Sequence, residues 1–571
     1  MIEHQTPRRP VRVRGRFTKK TAVPVLLLAL LLLGVTFVPA LRFRPLGNRN
    51  PLPSPYSKGV FHVHSVFSDG RGDLEEITAS AAAAGLDFVV LTDHGTPNRE
   101  SASATHWVND VLVVGGSELT LEHAHLAAAG FPTPAYRFPP EPQQSIDEVR
   151  RGGGVSFIAH PFFRWNGWND WGVENHTGIE LINAHTLGSK WRLATAALVP
   201  RYFVRPAYAM LTTLEYPEDT VAAWEAMNRR GRYSGIFALD AHARLSIGMG
   251  KSVHAPTYAE AFALLNIYVK HGSALGDDAT AAADSIVAAL WAGSFFNCIE
   301  AIAPGNGFDA VFESDGGRRL EMGAASPEHA GRLVISLPFD FATDVVVRRD
   351  GGLFRRFEGN TDEVLEVAVT EPGVYRVEVF AADSPFDELP WIVGNPFYLV
   401  ERQPRPVPTP PIVRQAIADG GDFFQLECGP PSECSLLPVA AGDGPAVTAI
   451  GYALPDDPAV GDFSAALANR TPRSFEGFEG LSVRVRADER AWHWLMFRTG
   501  SGREEIWYRH SFAADREWAT VAIPFGGFRV HHGERLPPDL GAVSSVFVSI
   551  DNQIAYPGAS GTLYVSDLGL Y

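Results

Sequence analysis

"GVFHVHSVFSDG", residues 59–70, sets two histidines one residue apart on a β-rich run and, five residues after the second, an aspartate in a Ser-Asp-Gly turn. Side chains two apart on a strand share a face, so His62 and His64 are expected to point the same way. Alone, the pair equally suits an exposed or satisfied strand pair; the reading turns on whether other strands bring similar groups. They do. "LDFVVLTD" ends at Asp93 and runs into His94, "VLVVGGSEL" ends at Glu118 with "EHAHL" (His123, His125) behind it, "VSFIAHP" delivers His160, and "SGIFALDAH" delivers Asp240 and His242. Helical stretches such as "DLEEITASAAAAG", closed by a glycine, separate some of these runs. Alternation of this kind predicts an α/β unit over residues 59–305, a parallel sheet or barrel whose functional residues gather at the carboxyl ends of strands.

Five strand-end clusters of imidazole and carboxylate are the donor mixture that suits Zn, Mn or Fe. A carboxylate such as Glu118 can bridge two ions, and paired ions activate water while neutralising charge on a substrate. Asp93 reads as a residue that fixes a neighbouring ring's tautomer rather than as a ligand. Asn183, after "GIELIN", reads as a pocket residue, and Glu180 equally as a structural charge. Arg164 and Arg244 are candidates for holding a substrate anion and equally ordinary surface arginines. The chain has no G-x-S-x-G elbow and no G-x-x-x-x-G-K-[ST] loop, so serine-hydrolase and nucleotide-triphosphate chemistry lack support.

In order along the chain, "FHVHSVFSDG", "LTDHGT", "GSELT", "FIAHP" and "LDAHA" resemble the motifs of the polymerase-and-histidinol-phosphatase (PHP) superfamily of metal-dependent phosphoesterases. The resemblance covers about residues 59–305, less than half of the chain. It implies a distorted (βα)7 barrel with two or three divalent ions. By that likeness His62, His64, Glu118 and Asp240 hold one ion, Glu118, His125 and His160 a second, and Asp69, His94 and His242 a third. "HAHLAAAG" fits the family's pattern best with His125, although His123 stands two residues away. The resemblance implies hydrolysis by a metal-bridging hydroxide, with no side-chain nucleophile.

Composition bounds the rest. A chain of 571 residues with 46% hydrophobic and 20% charged residues is expected to form three or so folded units. The net charge of −16 disfavours tight non-specific nucleic-acid binding but not a small phosphorylated substrate held by metal. Residues 1–20 are basic, and "TAVPVLLLALLLLGVTFVPAL", residues 21–41, is an uncharged run long enough to cross a bilayer. The charge bias predicts a single-pass anchor with a cytoplasmic N-terminus and an extracytoplasmic body, periplasmic in a Gram-negative cell. The alternative is a signal peptide cleaved after "VPA", residues 38–40. Residues 42–58 read as a linker, 306–401 as a small β-sandwich, 402–415 as a Pro-rich linker, and 416–571 as a second all-β unit that loosely resembles jelly-roll carbohydrate-binding domains. Segment 186–232 reads as a helical insertion that covers the site or packs on the barrel. Trp492, Trp494, Trp507 and Tyr508 offer stacking faces for a glycan, with core packing as the commoner use. Cys428 and Cys434 flank a turn that suits a disulfide, whereas Cys298 reads as buried and inert. Three functions follow: an exported, membrane-anchored phosphoesterase acting on a small phosphorylated or nucleotide-like substrate; a carbamate- or amide-type hydrolase on the same metal core; or a non-enzymatic envelope protein that binds glycan.

Overall fold

The computed structural model describes residues 34, 37–47, 56–187, 199–248, 251–272, 275–400, 415–418, 424–437, 439, 447–457, 464–500, 505–533 and 536–571. Most of the apolar run 21–41 and all of 402–414 lie outside them. Among the described residues no helix is long and apolar enough to cross a membrane.

The first ten strands build the α/β unit: β1 (Tyr56–Val63), β2 (Phe88–Leu91), β3 (His94–Gly95), β4 (His106–Val108), β5 (Val111–Val114), β6 (Gly116–Thr120), β7 (His125–Ala129), β8 (Val155–Ile158), β9 (Gly178–Asn183) and β10 (Ser234–Ala238). One sheet runs β10-β9-β8-β7-β6-β3; β1, β2, β5 and β4 lie in a second. Backbone hydrogen bonds join the two sheets at both edges. Leu239 N donates to Phe61 O and His64 N to Ala241 O, while Glu118 N donates to Thr92 O. Between these joins the interior is filled by apolar side chains, with Phe61 and Phe157 meeting edge to face at 5.1 Å.

Strand pairing in this unit is mixed rather than all parallel, which corrects the simple (βα)7 expectation. β1–β2, β8–β9, β9–β10 and β3–β6 pair parallel, but β6–β7 and β7–β8 pair antiparallel. The reason is local: only residues 121–124 separate β6 from β7, too few for the crossover a parallel neighbour needs. Helix Leu74–Ala83 starts where Asp73 accepts a hydrogen bond from Glu76 N and is followed by Gly85 at φ +67°; helix Ala279–Ala292 is capped by Asp278 and stopped by Gly293 at φ +74°.

The boundary expected at 305/306 does not separate sheets. Strands Thr343–Arg349, Gly352–Asn360, Gly373–Ala381 and Ile392–Gly394 extend the sheet that holds β1, through Ile392–Gly394 paired with Phe295–Cys298. Only Asp309–Ser314, Arg319–Glu321, Gly331–Ser336 and Val364–Val369 form a sheet of their own. Half of the anticipated sandwich is therefore an outgrowth of the α/β unit. Helix Glu218–Asn228, within the expected helical insertion, is held to that outgrowth by Arg376, which bridges Glu225 and Glu378 at 2.8 Å each. Residues 42–58 are not a free spacer either: Phe43 is buried against Tyr208 and Phe386, Leu46 N donates to Ile302 O, and residues 56–58 already belong to β1.

The C-terminal unit packs two antiparallel six-stranded sheets face to face. Cys428 and Cys434 are disulfide-bonded, and Cys298 is buried in a strand of the sheet that holds β1. Trp492, Trp494 and Tyr508 are buried, so the expected row of stacking faces is not open; Trp507 is partly exposed, with the Arg498 guanidinium 3.7 Å above its ring.

This sandwich docks on the α/β unit. Ser511 Oγ donates to Glu141 at 2.6 Å, Tyr556 OH donates to Pro97 O at 3.0 Å, and Arg490 pairs with the buried Glu148, which Arg151 and Tyr136 also hold at 2.7 Å. Burial opposes the Glu148 charge, but these partners outweigh it and hold the carboxyl below its ordinary value. Its contribution is therefore present above the unfolded carboxylate range and is lost as pH falls through the depressed folded value. Arg490→Ala removes one charged hydrogen-bonding partner of three and is expected to cost about 2 kcal/mol. Chemical denaturation with a fluorescence readout of the C-terminal tryptophans measures it; an unchanged midpoint would mean that this ion pair does not hold the docking.

Candidate metal centre

At the ends of β1, β6, β8, β10 and their following loops, the side chains converge. Strand alternation does not explain how this happens at β1. His62 lies at φ +68° where the β1–β2 register shifts, so the two histidines meet because the strand kinks, not because it alternates. His160 (φ +27°) and Asp240 (φ +52°) also sit in the left-handed region, which costs a residue other than glycine about 1 kcal/mol or more. Gly70 is needed in the Ser-Asp-Gly turn because a Cβ there would meet His64 O at 2.4 Å.

Around Glu118 the geometry is dense. His62 Nε2 and His64 Nε2 lie 3.1 Å apart, 3.4 and 3.3 Å from Glu118 Oε2, and 3.6 and 3.4 Å from Asp240 Oδ1. The other oxygen, Glu118 Oε1, faces His125 Nδ1 at 2.8 Å and His160 Nε2 at 2.9 Å, and His94 Nδ1 is 2.9 Å from Oε2. On the outer side Asp69 Oδ1 lies 3.1 Å from His242 Nε2, 3.6 Å from His64 Nδ1 and 3.7 Å from His94 Nε2. All nine candidate ligands are thus gathered into one cluster. His123 is excluded from it: exposed, it faces Glu122, and His125 alone of the two reaches Glu118.

The surrounding residues orient these rings. The Asp93 carboxylate accepts from Ser65 N, Ser65 Oγ and Ser68 Oγ, and Ser68 Oγ lies 3.4 Å from His64 Nδ1, so Asp93 reaches that ring through a serine. Asn183 donates to Glu180 at 2.9 Å and to Asp240 at 3.2 Å. Arg244 donates to Asp69 O at 3.3 Å, holding the turn rather than facing the cluster. Arg164 lines a cleft of about 680 Å³ that opens beside His160, Glu180 and Asn183 and continues to Glu215–Thr220.

Two further residues belong to the site that the motifs do not single out. Glu180 is no incidental charge: its Oε1 is 2.5 Å from His62 Nδ1, and its Oε2 accepts from His160 N at 2.8 Å. His185, in "NAH", lies with its ring 4.9 Å from that of His242; the signal was its likeness to "DAH" at the end of β10. Asp240 favours the charged form of His185, but burial together with His242, His64 and His62 leaves the His185 pKa lowered.

The electrostatics describe groups that compete for positive charge. Burial opposes ionisation of His62, yet Glu180, Asp240 and Glu118 raise its pKa well above the ordinary value. His64, His94 and His160 are raised in the same way, against burial, by carboxylates that include Glu118. Burial likewise opposes the charges of Glu118 and Asp240, and His62 with its neighbours holds both well below the carboxylate range. The buried carboxylates thus favour positive charge on the rings around them.

A divalent ion satisfies the same demand, and the donor spacing fits one. A regular tetrahedron of edge about 3.4 Å has its centre about 2.1 Å from each corner, the length of a Zn–N or Zn–O bond. His62 Nε2, His64 Nε2 and Glu118 Oε2 lie 3.1–3.4 Å from one another, near that edge, and Asp240 Oδ1 lies within 3.6 Å of both rings. His160 Nδ1, buried without a hydrogen-bond partner, is a further sign that this pocket's polar atoms are not satisfied by protein alone.

Comparison with known proteins gives limited matches. The family model described as Complex I intermediate-associated protein 30 (CIA30) matches residues 461–551, within the C-terminal sandwich. No curated protein matches the chain. Among solved structures, a two-domain protein of Bacteroides vulgatus containing a predicted PHP-like metal-dependent phosphoesterase is 15% identical, covering 62% of this chain and 98% of its own, with a TM-score of 0.30. A family 11 carbohydrate-binding module from Clostridium thermocellum, in complex with a β-1,3-1,4-mixed-linked tetrasaccharide, is 18% identical over 27% of this chain and 94% of its own, with a TM-score of 0.23. A family 30 module from a cellulosomal cellulase of the same organism is 14% identical over 28% and 97%, with a TM-score of 0.22.

Proposed function

We propose that the protein is a metal-dependent hydrolase, held at a membrane by residues 21–41, that cleaves a small phosphate ester. The observation that carries this reading is the convergence of three buried donor atoms, from His62, His64 and Glu118, at the spacing of ligands to one ion, with Asp240 Oδ1 within 3.6 Å of both rings. His94, His125, His160, His242 and Asp69 would hold one or two further ions, and the resemblance of the five motifs to the PHP superfamily points the same way.

Divalent ions in such a pocket supply Lewis acidity, polarising a phosphoryl oxygen and lowering the pKa of water. The chain's own residues do the rest. Glu118 presents both oxygens to ligands on opposite sides, so it sets the separation of the inner positions. Glu180 fixes His62 through Nδ1 and leaves Nε2 directed at Glu118 and Asp240. Arg164, on the cleft wall, would meet the anionic end of a substrate, and Tyr216 and Thr220, which line the same cleft, would border its remainder.

The test is a substrate panel of phosphomonoesters, phosphodiesters, nucleotides and aryl carbamates, run on the metal-loaded full-length protein. Turnover of a phosphate ester that is lost on chelation and restored by Zn or Mn is the expected result. Turnover of carbamates alone would overturn the phosphoesterase reading while leaving the metal centre intact.

A further inference from the structure

The chain that would emerge from a bilayer is not left free. Residues 37–42 are helical, and immediately after them Phe43 is buried between Tyr208 and Phe386, at ring separations of 5.5 and 5.7 Å. Arg44 folds back to donate to Leu41 O and Phe43 O, fixing that exit. The end of the apolar run is therefore fastened to helix Pro206–Leu211.

What lies just before that helix is unusual for a water-facing surface. Residues 199–204 are helical, and Phe203 is 83% exposed with Val199 at 48%. Phe203 stands five residues before Tyr208, so the chain permits at most about 17 Å between their Cα atoms. On the emerging helix Leu41 is 57% exposed and Val38 is exposed too, with nothing in the described residues covering either. Arg42 and Arg44, both exposed, follow the apolar run. Apolar side chains at the surface with arginines beside them match the headgroup layer of an anionic membrane, where the rings enter the acyl boundary and guanidiniums reach phosphates.

We propose that residues 199–204, together with Val38 and Leu41, form a face that lies in the interfacial layer of the bilayer crossed by residues 21–41. The insertion is then a membrane seat, and the cleft wall Glu215–Thr220 begins four residues after Leu211, the end of the helix against which Phe43 packs. A body so held has one fixed orientation to the lipid surface rather than swinging on a tether. The inference rests on the anchoring reading above and is independent of the metal chemistry.

The experiment uses full-length protein reconstituted in vesicles of phosphatidylethanolamine with a minor fraction of phosphatidylglycerol. Phe203→Cys is labelled with a polarity-sensitive fluorophore; Leu353→Cys, 64% exposed on the outgrowth of the sheet that holds β1, serves as the control. The native cysteines do not interfere, since two are disulfide-bonded and Cys298 is buried. The expected result is a blue-shifted emission at position 203, quenched by lipids carrying a shallow nitroxide, with neither effect at position 353. Protein that survives a carbonate wash in the vesicles but keeps the position-203 label in water would overturn the seat alone. Protein released by the wash, with both labels in water, would overturn the anchor and the seat together.

Discussion

Replacing Glu118 by glutamine is expected to abolish tight metal binding and to lower hydrolysis by about 10³-fold or more, equivalent to about 4 kcal/mol of barrier. The side chain keeps its shape, so the loss isolates the charge. Glu118 is fully buried, faces five histidine rings, and is the one residue whose two oxygens serve both inner groups. An amide offers one acceptor instead of two and turns an N–H₂ donor toward rings that must present lone pairs to an ion. Calorimetric titration of the metal-stripped variant with Zn, alongside turnover of the best substrate from the panel, checks both effects. Circular dichroism matching the parent protein shows that the fold persists. A variant with parental metal affinity would remove Glu118 from the centre of the site.

Chelation is expected to make stability depend on pH in a way the loaded protein does not. Without an ion, the raised histidines of the cluster stabilise the fold by binding protons. That contribution is complete below the unfolded histidine value of about 6.5 and is lost as pH rises through the elevated folded values. Every tenfold gain in a ring's proton affinity is worth about 1.4 kcal/mol, a sizeable share of a net folding stability of about 5 to 15 kcal/mol. Glu118 and Asp240 act at the other end: their contribution is present above the unfolded carboxylate range and fades as pH falls through their depressed values. An ion displaces the ring protons, so metal affinity increases with pH over the range in which the metal-free protein weakens. Thermal melts with and without chelator, at mildly acidic, neutral and mildly alkaline pH, should show a gap that widens with pH. A gap independent of pH would mean that protons and ions do not compete for these rings.

The site was far more legible in the sequence than the architecture around it. A histidine or carboxylate at the end of a β-rich run is a local pattern, and five such runs in one stretch single out His62, His64, His94, Glu118, His160, Asp240 and His242 without any knowledge of pairing. The manner of their meeting was not legible: the left-handed backbone at His62, His160 and Asp240 is imposed by neighbouring strands, and no local propensity calls for it. Glu180 was underestimated because a carboxylate within "GIELIN" looks like the polar phase of an alternating strand, whereas β9 is buried throughout. The outgrowth of the sheet that holds β1 was hidden for another reason. Ile392–Gly394 pairs with Phe295–Cys298 across about a hundred residues of chain, and alternation in a short strand does not identify its partner. The docking of Tyr556 on Pro97, more than 450 residues away, is equally long-range. The aromatic row of the C-terminal sandwich left core and ligand both open, because a tryptophan on a strand carries the same letter whichever it faces; Trp492, Trp494 and Tyr508 are buried, the commoner use, and Trp494 has the Arg509 guanidinium 4.0 Å over its ring.

Whether the strand ends around Glu118 form a centre for divalent ions is decided by elemental analysis of the full-length protein, purified without added metal or chelator. More than one equivalent of Zn, Mn or Fe per chain is expected, most of it absent from Asp240→Asn purified in parallel. Metal-free parent protein with full thermal stability, unchanged on addition of Zn or Mn, would contradict the metal centre.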